Sequence, residues 1–287
     1  MSDKIYFNTS KKFSFKKKMV NLTTRAHHKL APSHAKRTAK KLLLTPVRST
    51  PKNAQPEGLS ISEVATSEGV LKTYRLGTGP VWLLTHGWSG TASQFFPLME
   101  HIASKGYTAL AYDHPAHGQS EGAYGHIPAF VGGLEGLLDS EEEVAGLVGH
   151  SMGTAAAIEC KHAKLQDKPL LLIAPVLDYL DNLFGSVARS GYSMRLFEAV
   201  VDDIQSQYHY PITSIDPYNK LGRRSAPTII VHDEKDRFTK YSVSQKAAQE
   251  MPLVTLITTQ GQGHGRVMHS DEAKAAFDKL TSSSSTI

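Results

Sequence analysis

A single cysteine, Cys160, stands among 287 residues, so the chain can form no internal disulfide. A lone thiol is compatible with a reducing compartment, and this one follows an Ala-rich run where a small core residue is expected. Long apolar runs are missing too. None approaches the roughly 20 residues that a membrane-spanning helix needs. The clusters Lys11-Lys12 and Lys16-Lys17-Lys18 are not followed by the stretch of about 7–15 apolar residues that marks a secretory leader. These absences lead to the expectation of a cytoplasmic protein. Neither a phosphate-cradling G-x-x-x-x-G-K nor a dinucleotide-type G-x-G-x-x-G context occurs, so no cofactor is expected. No internal repeat is visible.

Acidic residues are scarce in one region only. Residues 1–53 hold 14 of the 32 Lys and Arg but a single acid, Asp3, for a net charge of +13, while the remainder carries −8. A mildly acidic body thus bears a strongly basic arm. Residues 1–22 read as a disordered basic lead-in, and residues 23–58 as a basic helical arm with a linker. In the arm, Leu30, Ala31, Ala35, Ala39, Leu42 and Leu43 offer an apolar stripe, and Pro32 breaks or starts a helix. Pro46, Pro51 and Pro56 favour extended chain in the linker. Contact with nucleic acid or an anionic membrane through residues 1–53 is conceivable for such an arm. It lacks interleaved aromatics, heptads and any DNA-binding motif, so the favoured expectation is a helix packed on the body with its lysines in water.

What is present beyond the arm is a regular alternation. Ser60–Ala65 and Val70–Arg75 read as an antiparallel pair. Short apolar strands then follow at Val81–Thr85, Thr108–Tyr112, Val144–Val148, Pro169–Ala174, Thr228–Val231 and Leu253–Thr258. Helical stretches separate them at Gln94–Lys105, Pro128–Ser140, Ser242–Glu250 and Asp271–Leu280. This predicts an α/β fold over 59–280, a mostly parallel central sheet flanked by helices. Between residues 177 and 224 the rhythm stops, and one or two helices around Met194–Ser206 with polar connections are expected. The serine-rich tail 281–287 is expected to be disordered.

Gly149-His150-Ser151-Met152-Gly153 sits between the apolar run 143–148 and the helix-forming Thr154-Ala155-Ala156-Ala157-Ile158. A strand, G-x-S-x-G, then a helix is the setting of a nucleophile elbow. The turn is too tight for side chains two residues either side of the serine, and the helix N-terminus favours developing negative charge. Four further motifs accompany it. His86-Gly87-Trp88 follows the strand Val81–Thr85, and Asp113-His114-Pro115-Ala116-His117-Gly118-Gln119-Ser120 follows Thr108–Tyr112. His232-Asp233-Glu234-Lys235-Asp236 follows Thr228–Val231, and Gly261-Gln262-Gly263-His264-Gly265-Arg266 follows the last strand.

In this order the motifs resemble those of the α/β-hydrolase-fold superfamily, in particular its bacterial serine esterase and lipase-like members. The resemblance implies Ser151 as nucleophile, with acid and base following in that order. Asp236 matches the acid of H-G-x-x-D, with Asp233 and Glu234 as rivals and Asp178 a weaker one. His264 matches the base, with His269 as the alternative. Attack on an ester carbonyl makes an oxyanion that needs backbone donors, and these are expected from the N–H groups of Met152 and Trp88. His86, Gly87, Gly149 and Gly153 support the site. The Asp113–Ser120 turn resembles D-x-x-G-x-G-x-S and reads as structural, and His150 is expected to pack or hydrogen-bond within the elbow. His114 and His117 lie near Asp113, but no further ligands cluster with them and no metal is expected.

A serine at position 151 departs from the aspartate nucleophile of epoxide hydrolases and haloalkane dehalogenases. The function implied is a carboxylesterase-like serine hydrolase acting through an acyl-enzyme on small-molecule esters of short-to-medium acyl length. The resemblance also makes the insertion 177–224 a small helical cap, with Leu180, Leu183, Phe184, Tyr192, Met194, Leu196, Phe197 and Tyr208 as candidates for an acyl pocket or for the cap's own packing. The same triad could instead serve thioesters, C–C bonds or cofactor-free perhydrolysis. A reading from another class is a non-catalytic binding protein whose basic arm is the working part.

Overall fold

Eight strands make one sheet, β1 Ser60–Thr66, β2 Gly69–Leu76, β3 Val81–Thr85, β4 Thr108–Tyr112, β5 Gly146–His150, β6 Leu170–Ile173, β7 Thr228–Asp233 and β8 Val254–Thr259. They belong to a computed structural model that describes residues 15–51 and 53–282. The strand order is β1-β2-β4-β3-β5-β6-β7-β8. β1, β2 and β4 pair antiparallel, and every pairing from β4 through β3 to β8 is parallel. The mostly parallel α/β sheet expected from the strand–helix alternation is therefore present.

Strands β4 to β7 are buried along their whole length, as apolar runs covered on both faces should be. Side chains alternate between two cores. Trp82, Leu84, Ala109, Ala111, Val148, Leu171, Ile173, Ile229 and Val231 face the helices Phe96–Ser104 and Asp271–Ser282. Leu83, Leu110, Leu147, Leu170, Leu172 and Ile230 face Ile127–Ser140, Met152–Glu159 and Tyr241–Glu250. Because β3, β5, β6 and β7 are parallel, their carboxyl ends share one edge, where open α/β sheets place their sites.

This sheet belongs to a unit made of Pro46–Leu177 and the chain from Pro217 on. A second unit takes in the chain up to Thr45 together with Asp178–Asp216. Four α-helices are described in it: Phe15–Leu30, Pro32–Leu44, Tyr179–Ser190 and Met194–Tyr208. Pro32 occupies the first turn of its helix, where its fixed φ is pre-organised and its missing N–H is not needed. Ala35, Ala39 and Leu43, spaced four apart, are fully buried. Pro32–Leu44 packs on Met194–Tyr208, and Lys36 and Lys40 reach Asp203 at 3.4 and 2.9 Å. Phe184 meets Phe197 edge-on within the same unit, with ring centroids 5.2 Å apart.

Several expected boundaries are corrected. The chain is already helical from Phe15, inside the segment 1–22 expected to be disordered, whose first 14 residues lie outside the described ones. The helix persists because Lys, Met, Leu and Ala are all tolerant helix formers. Of the expected arm stripe, Leu30 and Leu42 are exposed. The arm, expected as a helix packed on the body, shares a unit with the inserted cap, and that insertion ends at Asp216, not 224. Pro217–Leu221 is a short helix of the sheet-bearing unit. Thr281 and Ser282 finish the last helix, and the rest of the expected disordered tail lies outside the described residues.

Candidate active site

Ser151 stands between the end of β5 and the helix Met152–Glu159 with φ +52° and ψ −124°, a conformation L-residues rarely adopt. Its surroundings impose it. Ser151 N–H donates to Ile173 O at 3.0 Å, and Ser151 O accepts from Thr154 N at 3.0 Å and Thr154 Oγ1 at 2.6 Å. A Cβ at Gly153 would sit 2.3 Å from Thr85 O and 2.6 Å from His86 O. One at Gly149 would lie 3.0 Å from Thr154 Cα. Gly153→Ala therefore forces backbone against backbone, and an expected loss of about 2–3 kcal/mol in urea unfolding follows. Gly265→Ala, whose Cβ would meet nothing within 4 Å, is the control and should change stability by less than about 0.5 kcal/mol.

His264 lies on a one-turn helix, Gly263–Arg266, rather than in the open loop expected. Its Nδ1 is 2.7 Å from Asp236 Oδ2 and its Nε2 is 2.9 Å from Ser151 Oγ. An ionised carboxylate only accepts, so Nδ1 carries the proton, and Nε2 accepts from the serine hydroxyl. His269 closes a short 3₁₀ turn and makes no bond to the serine; His264 does. His150 Nε2–H donates to the backbone carbonyl of His264 at 2.9 Å, tying the two motifs together.

The Asp236 side chain is buried. Oδ1 accepts from the N–H groups of Phe238 at 2.7 Å and Thr239 at 3.1 Å, and Oδ2 accepts from Thr239 Oγ1 at 2.9 Å. Burial alone would raise this carboxyl. Hydrogen bonds from His232, His264 and the Phe238 N–H outweigh it and hold the group far below the usual carboxylate range. In the sequence His232 stands out only as the start of a motif. It lies fully buried between Thr239 Oγ1 at 3.1 Å and Ser244 Oγ at 2.8 Å.

The rival acids have other places. Asp233 is buried, accepting from Lys235 N at 2.9 Å, Gln262 N at 2.7 Å and Thr259 Oγ1 at 3.0 Å. It thus braces the segment that carries His264. Glu234 is exposed and meets Gln260 at 3.4 Å, and Asp178 begins the helix Tyr179–Ser190 of the other unit.

The segment 86–90 runs directly beside the serine, since a Cβ at Gly87 would be 2.7 Å from Ser151 Cβ. Gly90 N–H donates to Gly87 O at 3.0 Å, and Ser89 takes φ +55°. His86 is buried; its Nδ1–H donates to Gly87 O at 2.7 Å and its Nε2 accepts from His114 N at 3.1 Å. Met152 starts its helix, so its N–H has no acceptor within that helix. Asp113 accepts from Ala92 N at 2.8 Å, Gln119 N at 2.9 Å and Tyr74 OH at 3.2 Å, a purely structural set. The neighbouring histidines are also engaged in the fold: His117 Nδ1–H donates to Pro115 O at 2.9 Å, and His114 Nε2 lies 2.5 Å from Thr85 Oγ1. Among the described residues no group of three or more His, Cys, Asp or Glu is arranged to hold a metal ion.

The stretch read as a plain linker does more than connect. Val47 N–H donates to Ser89 Oγ at 3.0 Å and Ser49 Oγ to Ser89 O at 3.0 Å. Arg48 donates to Gly118 O at 2.7 Å and Ser120 O at 2.9 Å. It is a strap that joins the 86–90 segment beside the serine to the 113–120 turn. No local motif announces it, because its partners lie 40 or more residues away.

Residues 82–279 match the Alpha/beta hydrolase family. No curated protein matches the chain by sequence. Among solved structures, the esterase Pf2001 of Pyrococcus furiosus is similar at 20% identity and a TM-score of 0.64, covering 84% of this chain and 97% of its own. Est1E of Butyrivibrio proteoclasticus, solved with ferulic acid, is similar at 15% identity and 0.61, covering 77% and 99%. The meta-cleavage product hydrolase CumD of Pseudomonas fluorescens is similar at 16% and 0.57, covering 78% and 98%. At such identities the likeness is one of fold. With the family match spanning most of the sequence and the sheet order in hand, the chain belongs to the alpha/beta hydrolase family.

Proposed function

We propose that the chain is a serine hydrolase that cleaves carboxylic esters through Ser151, His264 and Asp236. The observation that carries this reading is the unbroken series Asp236 Oδ2···Nδ1 His264 Nε2···Oγ Ser151 at 2.7 and 2.9 Å. It ends on a serine held at φ +52° above a helix N-terminus.

The chemistry follows from that series. A serine at its free pKa is a weak nucleophile, so His264 Nε2 takes the hydroxyl proton as Oγ attacks the carbonyl carbon. The tetrahedral oxyanion accepts from the N–H groups of Met152 and Trp88. Collapse breaks the bond to the alcohol, which leaves with the proton from His264 Nε2, and the acyl group stays on Oγ. His264 next deprotonates water for the second attack, and the acid and free serine are regenerated. Asp236 keeps Nδ1 protonated and stabilises the imidazolium throughout. His150 and Asp233 position the His264 segment, and the 47–49 strap positions Ser89 next to Trp88.

Asp236→Asn should retain the fold but present the wrong tautomer of His264, lowering kcat by about 10⁴-fold. p-Nitrophenyl acetate, butyrate and octanoate, set beside matching thioesters, measure this and the acyl preference together. Turnover of the esters by the wild type, lost in Asp236→Asn, is the expected result. Equal turnover by wild type and variant would overturn the assignment of Asp236. Turnover of thioesters alone would shift the substrate class while keeping the residues.

A further inference from the structure

The helix Phe15–Leu30 is turned the wrong way round for a helix that packs on its own protein. Phe15, Met19, Leu22, Ala26 and Leu30 recur at i, i+4, i+7, i+11 and i+15, which brings them onto one face. That face looks into water: Phe15 is 73% exposed, Met19 51%, Leu22 70% and Leu30 83%. The opposite, partly buried face is polar, with Lys17, Asn21, Thr24 and His28. It is the side that meets the inserted segment. Ser193 N–H donates to Thr24 Oγ1 at 3.1 Å, and Gly191 leaves room for the backbone of Lys17, whose O would be 2.6 Å from a Cβ there. Polar contacts hold the helix to its unit, and its apolar stripe is left over.

The charges beside the stripe say what could cover it. Lys18, Arg25 and Lys29 run along one edge and Lys16 along the other, all exposed. Neither this helix nor Pro32–Leu44 contains an acid, and residues 1–53 as a whole carry +13. A second copy of the helix would set cation against cation. A nucleic-acid backbone would satisfy the lysines but leave Phe15, Leu22 and Leu30 in water. An anionic lipid surface satisfies both, since aliphatic side chains enter the acyl boundary while lysines and arginines meet the headgroups. No helix among the described residues is long and apolar enough to cross a membrane, so the contact is one of lying on the surface.

We propose that the exposed face of Phe15–Leu30 docks the protein on an anionic membrane surface. The inference is independent of the ester-cleavage reading, because none of its residues takes part in that site. Flotation of the full chain with vesicles of phosphatidylglycerol and phosphatidylcholine, against pure phosphatidylcholine, tests it. Association with the anionic vesicles alone, released in 0.5 M salt, is expected. Lys16→Gln/Arg25→Gln/Lys29→Gln should weaken it by about 100-fold, three cations each contributing about five-fold. Leu22→Ser/Leu30→Ser should weaken it by about ten-fold. Both variants should keep the circular dichroism and ester turnover of the wild type. No association at low salt would overturn the proposal, as would association that both variants leave unchanged. Stripping of the protein from vesicles by duplex DNA at equal phosphate would overturn it in favour of nucleic acid. A dimer that depends on Leu22 and Leu30, with no vesicle association, would overturn it in favour of self-association.

Discussion

Ser151→Ala should lower ester turnover on the order of 10⁶-fold while leaving the thermal unfolding midpoint within a few degrees of the wild type. Under the proposed mechanism activity falls this far because the hydroxyl oxygen is the atom that forms the bond, and neither His264 nor water can replace it at the same point in space. Stability barely moves because, among the described residues, the Ser151 side chain bonds to His264 Nε2 alone, at 2.9 Å. The same position yields a sharper expectation. At φ +52° any residue with a Cβ is strained, and glycine is not. Ser151→Gly should therefore be inactive yet more stable than Ser151→Ala, by about 1 kcal/mol in urea unfolding. A destabilised Ser151→Gly would mean that the turn is not strained as described. A Ser151→Ala enzyme with ordinary turnover would mean that the chemistry lies elsewhere.

Stability should fall steeply as the pH drops below about 6, well before the carboxylates titrate. Three buried histidines cause it. Burial lowers His150 to about 3, with the nearby His264 adding to the effect. Burial also lowers His114 well below its ordinary value, with the charges of His86 and His117 in support. His86 is lowered by burial too, although Asp113 and the Gly87 carbonyl pull the other way. In the unfolded chain each imidazole takes up a proton as the pH falls through about 6.5, whereas in the folded chain it stays neutral. The unfolded state then binds more protons, so the folded state loses stability with falling pH. The stabilising contribution is whole above about 6.5. Each histidine removes up to about 1.4 kcal/mol per pH unit below that, and the three together approach about 4.

Asp233 and Asp236, both held low in the folded state, act in the same direction. Their contribution is present above the unfolded value of about 3.9 and is lost as the pH falls further. With total stabilities of about 5–15 kcal/mol typical for a domain, cooperative unfolding near pH 5 is the expected outcome. Urea midpoints between pH 8 and 4.5 measure it. His150→Gln, which can still donate to the His264 carbonyl, should remove one share of the slope. A midpoint flat down to pH 4.5 would contradict the neutral, buried assignment of these rings.

The parts of the candidate site that are legible in the sequence share a cause. The segment 149–153, Asp236 and His264 each sit in a short motif directly after an apolar strand, and a parallel sheet delivers such strand ends to one edge. Gly153 could be read because the tight turn brings two backbones too close there for a side chain, and Gly87 because it belongs to the His86-Gly87-Trp88 motif. What stayed hidden is long-range. Lys40 and Asp203 are 163 residues apart, and nothing local to either says that the arm joins the inserted helices. Arg48 and the carbonyls it holds are separated by 70 residues or more. The cap boundary at Asp216 was missed because Pro217–Leu221 is too short to carry a periodic signal. The helix beginning at Phe15 is hidden in the sequence because a lysine cluster resembles solvated coil, although lysine is a fair helix former.

Activation of Ser151 is what the proposed chemistry depends on most directly. A fluorophosphonate phosphonylates an activated serine and leaves ordinary ones alone, so intact-mass and peptide mass spectrometry of the treated protein gives the measurement. One adduct on the wild type, mapped to the peptide that contains Ser151 and absent from both Ser151→Ala and His264→Ala, is the predicted result. Folded wild-type protein that takes up no adduct, or an adduct that persists in Ser151→Ala, would contradict it.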